Sequence, residues 1–138
     1  MTIFILLFLT AILWGSTPIL EKIGLRNTSP LIALTIRSIG ITIALLITLG
    51  CLGKIKAIFS VSAKTAMVFV ASGIMAGLLG MWTYFGALKA GATSKIVPIA
   101  ATYPLITAIL SIIILKENVT VARLIGTLLI IAGVWLVK

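Results

Sequence analysis

Apolar residues in this chain run in long blocks separated by short polar breaks. They do not show the strict alternation of a half-buried strand or the one-face stripe of a soluble helix. Five blocks stand out, at about 3–23, 30–52, 66–88, 96–115 and 119–137. Each is close to the roughly 20 residues that a helix needs to cross about 30 Å of hydrocarbon. The breaks are turn-like. Arg26-Asn27-Thr28-Ser29-Pro30 closes the first hairpin, with Pro30 suited to the first position of the second helix. Gly53 to Lys64 is the longest loop, and "KIKAIFSVSAK" within it suits the membrane interface through Ile55, Ile58 and Phe59. Lys89 to Lys95 and Lys116 to Val119 are too short to hold another domain. The pattern predicts an all-α membrane protein of five transmembrane helices, organised as a single domain over residues 1–138.

Composition sharpens the class. Hydrophobic residues make up 62% of the chain and charged ones 9%, whereas a soluble domain keeps about a quarter of its residues charged. There is no histidine, the only carboxylates are Glu21 and Glu117, and Cys51 stands alone. Those counts leave no residue set for a metal site, an internal disulfide or a Ser/His/Asp triad. No enzyme activity and no cofactor are expected. The opening block lacks a basic residue before it and a small-x-small site after it, so it reads as a retained span rather than a cleaved leader. The net charge of +9 comes from basic residues scattered in ones and twos. That dispersion argues against nucleic acid and suits membrane-flanking anchors, with anionic lipid headgroups as counter-charge.

The same charges fail to choose an orientation. Five spans put the termini on opposite sides. Lys54, Lys56, Lys64, Lys116 and Arg123 fall on the N-terminal side, and Lys22, Arg26, Lys89, Lys95 and Lys138 on the other. The basic-residue bias that orients membrane proteins is therefore nil. Two readings stand. Either the first helix or a partner sets the orientation, or chains insert both ways and pair antiparallel.

Candidate chemistry begins with Glu21 and Arg37. Each lies eight residues from the centre of the first turn, near residue 29, so both should sit at similar depth on neighbouring helices. A charge deep in a span costs about 2.5–3.5 kcal/mol on insertion scales unless something answers it. A Glu21–Arg37 pair facing the bundle interior is the simplest answer. It is either a static salt bridge or part of a water-filled pathway that binds solute or a coupling proton. In the third span, Gly73, Gly77 and Gly80 have small-xxx-small spacing, which lets helices approach closely. Trp82, Tyr84 and Phe85 beyond them form an interfacial belt or wall a cavity. In the fourth, "IVPIAATYPLITAIL" holds Pro98 and Pro104. Each removes a helical donor, which inside a membrane requires neighbours or a polar cavity to satisfy the freed carbonyls. Tyr103 adds a ring and a hydroxyl there. Pro18 interrupts the first span, Gly126 and Gly133 share a stripe of the fifth, and Glu117 beside Lys116 needs no function beyond the helix end.

Taken together, "LWGSTPILEK", "SPLIALTIRSIG", "YFGALKAGATSKIVPIAATYPLITAILSIIILKENVT" and "RLIGTLLIIAGVWLV" resemble the EamA-type domain of the drug/metabolite transporter superfamily. The chain is similar to its short five-span bacterial and archaeal branch, with the most specific match over residues 84–137. Most members carry two such domains as inverted repeats. The resemblance therefore implies one half of an inverted-repeat transporter, a multi-pass protein of the cytoplasmic (inner) membrane. It also implies movement of small metabolites or drugs by alternating access. An odd-spanned unit rebuilds an inverted pair only by meeting an upside-down copy, which favours an antiparallel homodimer. Substrate is then expected against Trp14, Arg37, Trp82, Tyr84 and Tyr103, with Glu21 and Arg37 as ion pair or coupling site and the glycines and prolines as packing or hinge positions. Related small multidrug exporters use a first-helix acid as their proton and cation site. Glu21 lies later in its helix than that acid, so the role does not transfer. Two rivals remain open: an accessory or assembly subunit that needs an oppositely oriented partner, and a flippase for a lipid-linked polar group.

Overall fold

Long apolar blocks in lipid must satisfy their backbone internally, and helices do so residue by residue. The computed structural model describes residues 2–118 and 120–137, and among these every regular element is helical. α1 spans Thr2–Gly24 and α2 spans Pro30–Cys51, followed by a 3-10 helix at Ile55–Ser60. α3 (Ala63–Ser72), a π-helical stretch (Gly73–Gly80) and α4 (Met81–Ala90) form one continuous helix of 28 residues. α5 (Thr93–Ala100) and α6 (Tyr103–Leu115) share the next apolar block, and α7 covers Val121–Val137. Four of these helical stretches are long and apolar enough to cross a membrane: Thr2–Gly24, Pro30–Cys51, Ala63–Ala90 and Thr93–Leu115. At 17 residues α7 is a shorter apolar helix, at the lower end of the crossing range. The expected start of the fifth span at residue 119, and Lys138 of the charge tally, lie outside the described residues.

Helix ends follow local chemistry. Ser29 caps α2 by accepting the Ile32 N–H, and Pro30 opens it. Ser62 caps α3 in the same way through Thr65 N–H. Gly53 takes the left-handed region at φ 64° just past α2, where a side chain would be strained. Lys116, at φ 53°, ends α6 in the same conformation. Within the spans most hydroxyls turn back onto their own helix. Thr10, Thr17, Thr48 and Thr107 each donate to the carbonyl four residues earlier. In α1, Ser16 and Thr17 both donate to the Leu13 carbonyl, next to the Trp14 carbonyl that Pro18 leaves without its N–H.

Two elements depart from a plain helical reading. In the third span the Met81 N–H bonds the Ala76 carbonyl five residues back, which widens the turn. Gly73, Gly77 and Gly80, spaced for close helix approach on a plain α-helix, all fall within this π stretch, where more residues make each turn. A Cβ at Gly73 or Gly77 would meet nothing within 4 Å, while one at Gly80 would sit 3.3 Å from the Met75 carbonyl. A side chain at residue 80 would thus press first on its own widened helix. In the fourth span, α5 ends at Ala100 and α6 restarts at Tyr103. Ala101 N–H still reaches Val97 O, but Thr102 N–H and hydroxyl both turn to Ile99 O. Pro104, in the first turn of α6, has no N–H to continue the ladder.

The chain divides into two compact units, Met1–Lys89 and Ala90–Lys138. In the first, the buried side chains are Pro18, Leu25, Leu34, Phe85 and Leu88. They come from the end of α1, the first turns of α2 and the end of α4, so the core sits around the first hairpin turn. Most of the other apolar side chains face outward, Phe4 at 79% exposure and Phe8 at 67% among them. In lipid, apolar side chains are the proper exterior. Two lysines clasp the core end. Lys22 Nζ donates to the carbonyls of Leu88 at 2.6 Å and Lys89 at 3.1 Å, which the end of α4 leaves unpaired. Lys89 Nζ in turn donates to Thr28 O at 2.8 Å, across the hairpin turn. Lys22→Met should therefore lower the unfolding midpoint in detergent, by about 1–3 kcal/mol of stability. Lys22→Arg should recover most of the loss, and a Lys22→Met protein that melts like the wild type would show that the clasp carries no load.

Candidate functional site

Glu21 lies in the last turn of α1 and Arg37 two turns into α2, about 10 Å along that helix at 1.5 Å per residue. The short turn between them returns α2 beside α1, and Glu21 Oε1 stands 3.6 Å from Arg37 Nε. The carboxylate side is shielded, with the Glu21 side chain 10% exposed against 37% for Arg37. At 3.6 Å the contact is an ion pair rather than a hydrogen bond. Among the described residues Arg37 makes no hydrogen bond, so its planar fork of donors remains open to a ligand.

Tyr84 on α4 is half-buried and lies within reach of the Glu21 charge. Its ring is tilted 47° to that of Phe85, with centroids 6.3 Å apart. The structure thus brings Glu21, Arg37 and Tyr84 together. Trp14 sits two turns before Glu21 on α1 and is 67% exposed, and Trp82 on α4 is 48% exposed. Phe85, grouped with Trp82 and Tyr84 in the sequence, belongs instead to the core at 2% exposure. The three aromatics at the end of α4 thus stand in different surroundings, Trp82 exposed, Tyr84 half-buried and Phe85 enclosed. Tyr103 belongs to the second unit, where it opens α6 at 55% exposure beside the helix break. In that unit Glu117, Asn118, Ser111 and Thr127 border a small cavity of about 130 Å³ between α6 and α7. A Cβ at Gly126 or Gly133 of α7 would meet nothing within 4 Å.

A feature the sequence reading missed lies on another side of α2. Thr35, Ser38 and Thr42, with Leu34, Ile39 and Ile43, face Leu78 of the π stretch across an open groove of about 390 Å³. Its signal was the spacing of three and then four between hydroxyl-bearing residues. That spacing places them on one helical face within an otherwise apolar span.

Apolar helices of spanning length, with an ion pair set within two of them, define a multi-pass membrane protein. The chain belongs to the EamA-like transporter family, which it matches over residues 1–138. It is 31% identical over 137 residues to an uncharacterized protein of Methanocaldococcus jannaschii, covering 99% of this chain and 96% of that one. It is 29% identical over 77 residues to an uncharacterized transporter of Archaeoglobus fulgidus, covering 56% of this chain and 28% of that one. No solved structure matches the chain. The protein is accordingly a membrane transporter of the drug/metabolite transporter superfamily.

Proposed function

We propose that this transporter moves small solutes bearing an anionic group across the cytoplasmic membrane by alternating access, as an antiparallel homodimer. The observation that carries the reading is the Glu21–Arg37 pair. A shielded carboxylate steadies a guanidinium that makes no hydrogen bond among the described residues. An incoming carboxylate or phosphate can engage the open donors of Arg37 in the bidentate fashion that a planar fork favours. Tyr84 supplies a ring and a hydroxyl beside the pair, and Trp14 on α1 and Trp82 on α4 are the further aromatic candidates for contact with the solute. The helix break before Tyr103, with Pro98 and Pro104 around it, supports backbone rearrangement during the cycle, since interrupted helices accompany transporter binding sites.

Balanced flanking charge supports the homodimer, because neither orientation gains from it. The test is to map both termini in intact cells. A Cys51→Ser chain carrying one new cysteine beyond either end is treated with a membrane-impermeant thiol reagent. Labelling of both ends in comparable fractions is the expected result. Labelling of one end alone would remove the dual-topology dimer and direct attention to an accessory role with an oppositely oriented partner. Headgroup movement in liposomes without flux of soluble anions would instead make the protein a flippase.

A further inference from the structure

The two ends of α2 treat their lysines differently. At the hairpin end, Lys22 and Lys89 donate to the backbone carbonyls of Leu88, Lys89 and Thr28. At the other end the chain leaves α2 at Cys51 and enters the third span at Ala63, with the 3-10 helix Ile55–Ser60 between them. Lys54 and Lys56 stand on this connection and Lys64 in the first turn of α3. All three are exposed, and their ammonium groups make no hydrogen bond or ion pair among the described residues.

The connection is folded back onto the end of α2. Gly53 turns it at φ 64°, Lys54 N–H donates to Leu49 O at 2.8 Å, and Ala57 N–H donates to Lys54 O at 3.0 Å. Ile55 Cδ1 lies 3.7 Å from where a Cβ on Gly50 would stand. Residues three apart eclipse in a 3-10 helix, so Ile58 shares the face of Ile55, and Phe59 that of Lys56. Phe59 is 85% exposed, with Ile58 and Val61 also open. A segment joining two spans lies at headgroup level, where apolar side chains reach the acyl boundary and lysines extend to the phosphates.

Charge says what covers this surface. The carboxylate side chains are Glu21, which faces Arg37, and Glu117 in the second unit. That unit carries Lys95, Lys116, Arg123 and Lys138 against its one acid, and a second copy is as basic as this one, at +9. Neither can answer three free lysines. An anionic phospholipid offers both halves of the match, phosphate for the lysines and acyl carbons for Ile58 and Phe59.

We propose that the connection from Leu52 to Lys64 is a docking surface for anionic phospholipid. Lys54, Lys56 and Lys64 hold the headgroup phosphates, and Ile58 and Phe59 sit among the upper acyl carbons. The surface is at the opposite end of α2 from the hairpin turn, apart from the Glu21–Arg37 pair, and it works whichever way the chain inserts.

The test uses the full chain in nanodiscs, with Cys51→Ser as background and a bimane fluorophore on Ala57→Cys. The quencher is a lipid with a nitroxide high on its acyl chain, either phosphatidylglycerol or phosphatidylcholine at the same mole fraction. Both should quench, and the phosphatidylglycerol should act as though several-fold more concentrated, since one lysine near an anionic surface is worth about fivefold in binding. Lys54→Gln/Lys56→Gln/Lys64→Gln should bring the phosphatidylglycerol down to the level of the phosphatidylcholine. Quenching by phosphatidylcholine should persist in that variant, as evidence that the segment still lies in the interface. A label on Asn27→Cys, beside the clasped lysines, should show the smaller preference. Equal quenching by the two lipids at Ala57→Cys would overturn the proposal. So would a preference that survives the triple variant or is equal at Asn27→Cys, either of which puts the selectivity in overall charge. Quenching by neither lipid would place the segment in water and assign it to an acidic protein partner instead.

Discussion

Arg37→Gln is expected to reduce uptake of small organic anions into proteoliposomes by tenfold or more at matched protein content. Glutamine keeps polarity and much of the volume but removes the charge. A hydrogen bond to a charged group is worth about 1.5–3 kcal/mol, which converts to roughly ten- to a hundredfold in affinity. Arg37→Lys should fall between the two, because an ammonium keeps the charge and loses the planar fork. Stability separates the roles. Removing Arg37 leaves the shielded Glu21 carboxylate without its partner, so Glu21→Gln/Arg37→Gln should be more stable than Arg37→Gln alone. With Arg37 still 37% exposed, the coupling between the two should be on the order of 1 kcal/mol, between exposed and buried pairs. An Arg37→Gln protein that transports like the wild type would make the residue structural.

Phe85→Ala is expected to have the largest effect on folding. Phe85 is 2% exposed and lies in the core with Leu25, Leu34 and Leu88. In water such a truncation costs about 3–5 kcal/mol. Here the surroundings are hydrocarbon in either state, so the transfer part shrinks and lost packing contacts dominate. A loss of about 2–4 kcal/mol follows, read as a lower unfolding midpoint in detergent. Trp82→Ala, one turn earlier and 48% exposed, should change the midpoint far less. Equal losses at the two positions would mean that the end of α4 is not the core.

Much of this was legible along the chain. Hydropathy alone marked the spans, because each helix must bury its backbone polarity over the same thickness of lipid. The hairpin count placed Glu21 and Arg37 at one depth, since residues equidistant from a tight turn on antiparallel helices must be level. The role of that pair is a different matter, because a salt bridge and a binding site use the same two residues. Other features were not legible. Phe85 reads like its aromatic neighbours until its side chain is seen to be enclosed while that of Trp82 stays exposed. The π stretch leaves no mark in composition beyond its glycines, which a packing motif would also require. The Lys22 clasp joins residues 66 and 67 apart in sequence, and no local signal links them.

The sequence by itself thus determined the membrane class, the helices and the family, all properties of local patterning against a solvent of fixed thickness. Which side chains are enclosed, where a helix widens, and which lysines find a backbone partner were decided only in three dimensions. Those outcomes depend on how neighbouring helices pack, and in lipid nearly every apolar face is equally acceptable to the surroundings. Hydrophobicity therefore cannot select the inner face, and packing contacts and polar pairs must do so.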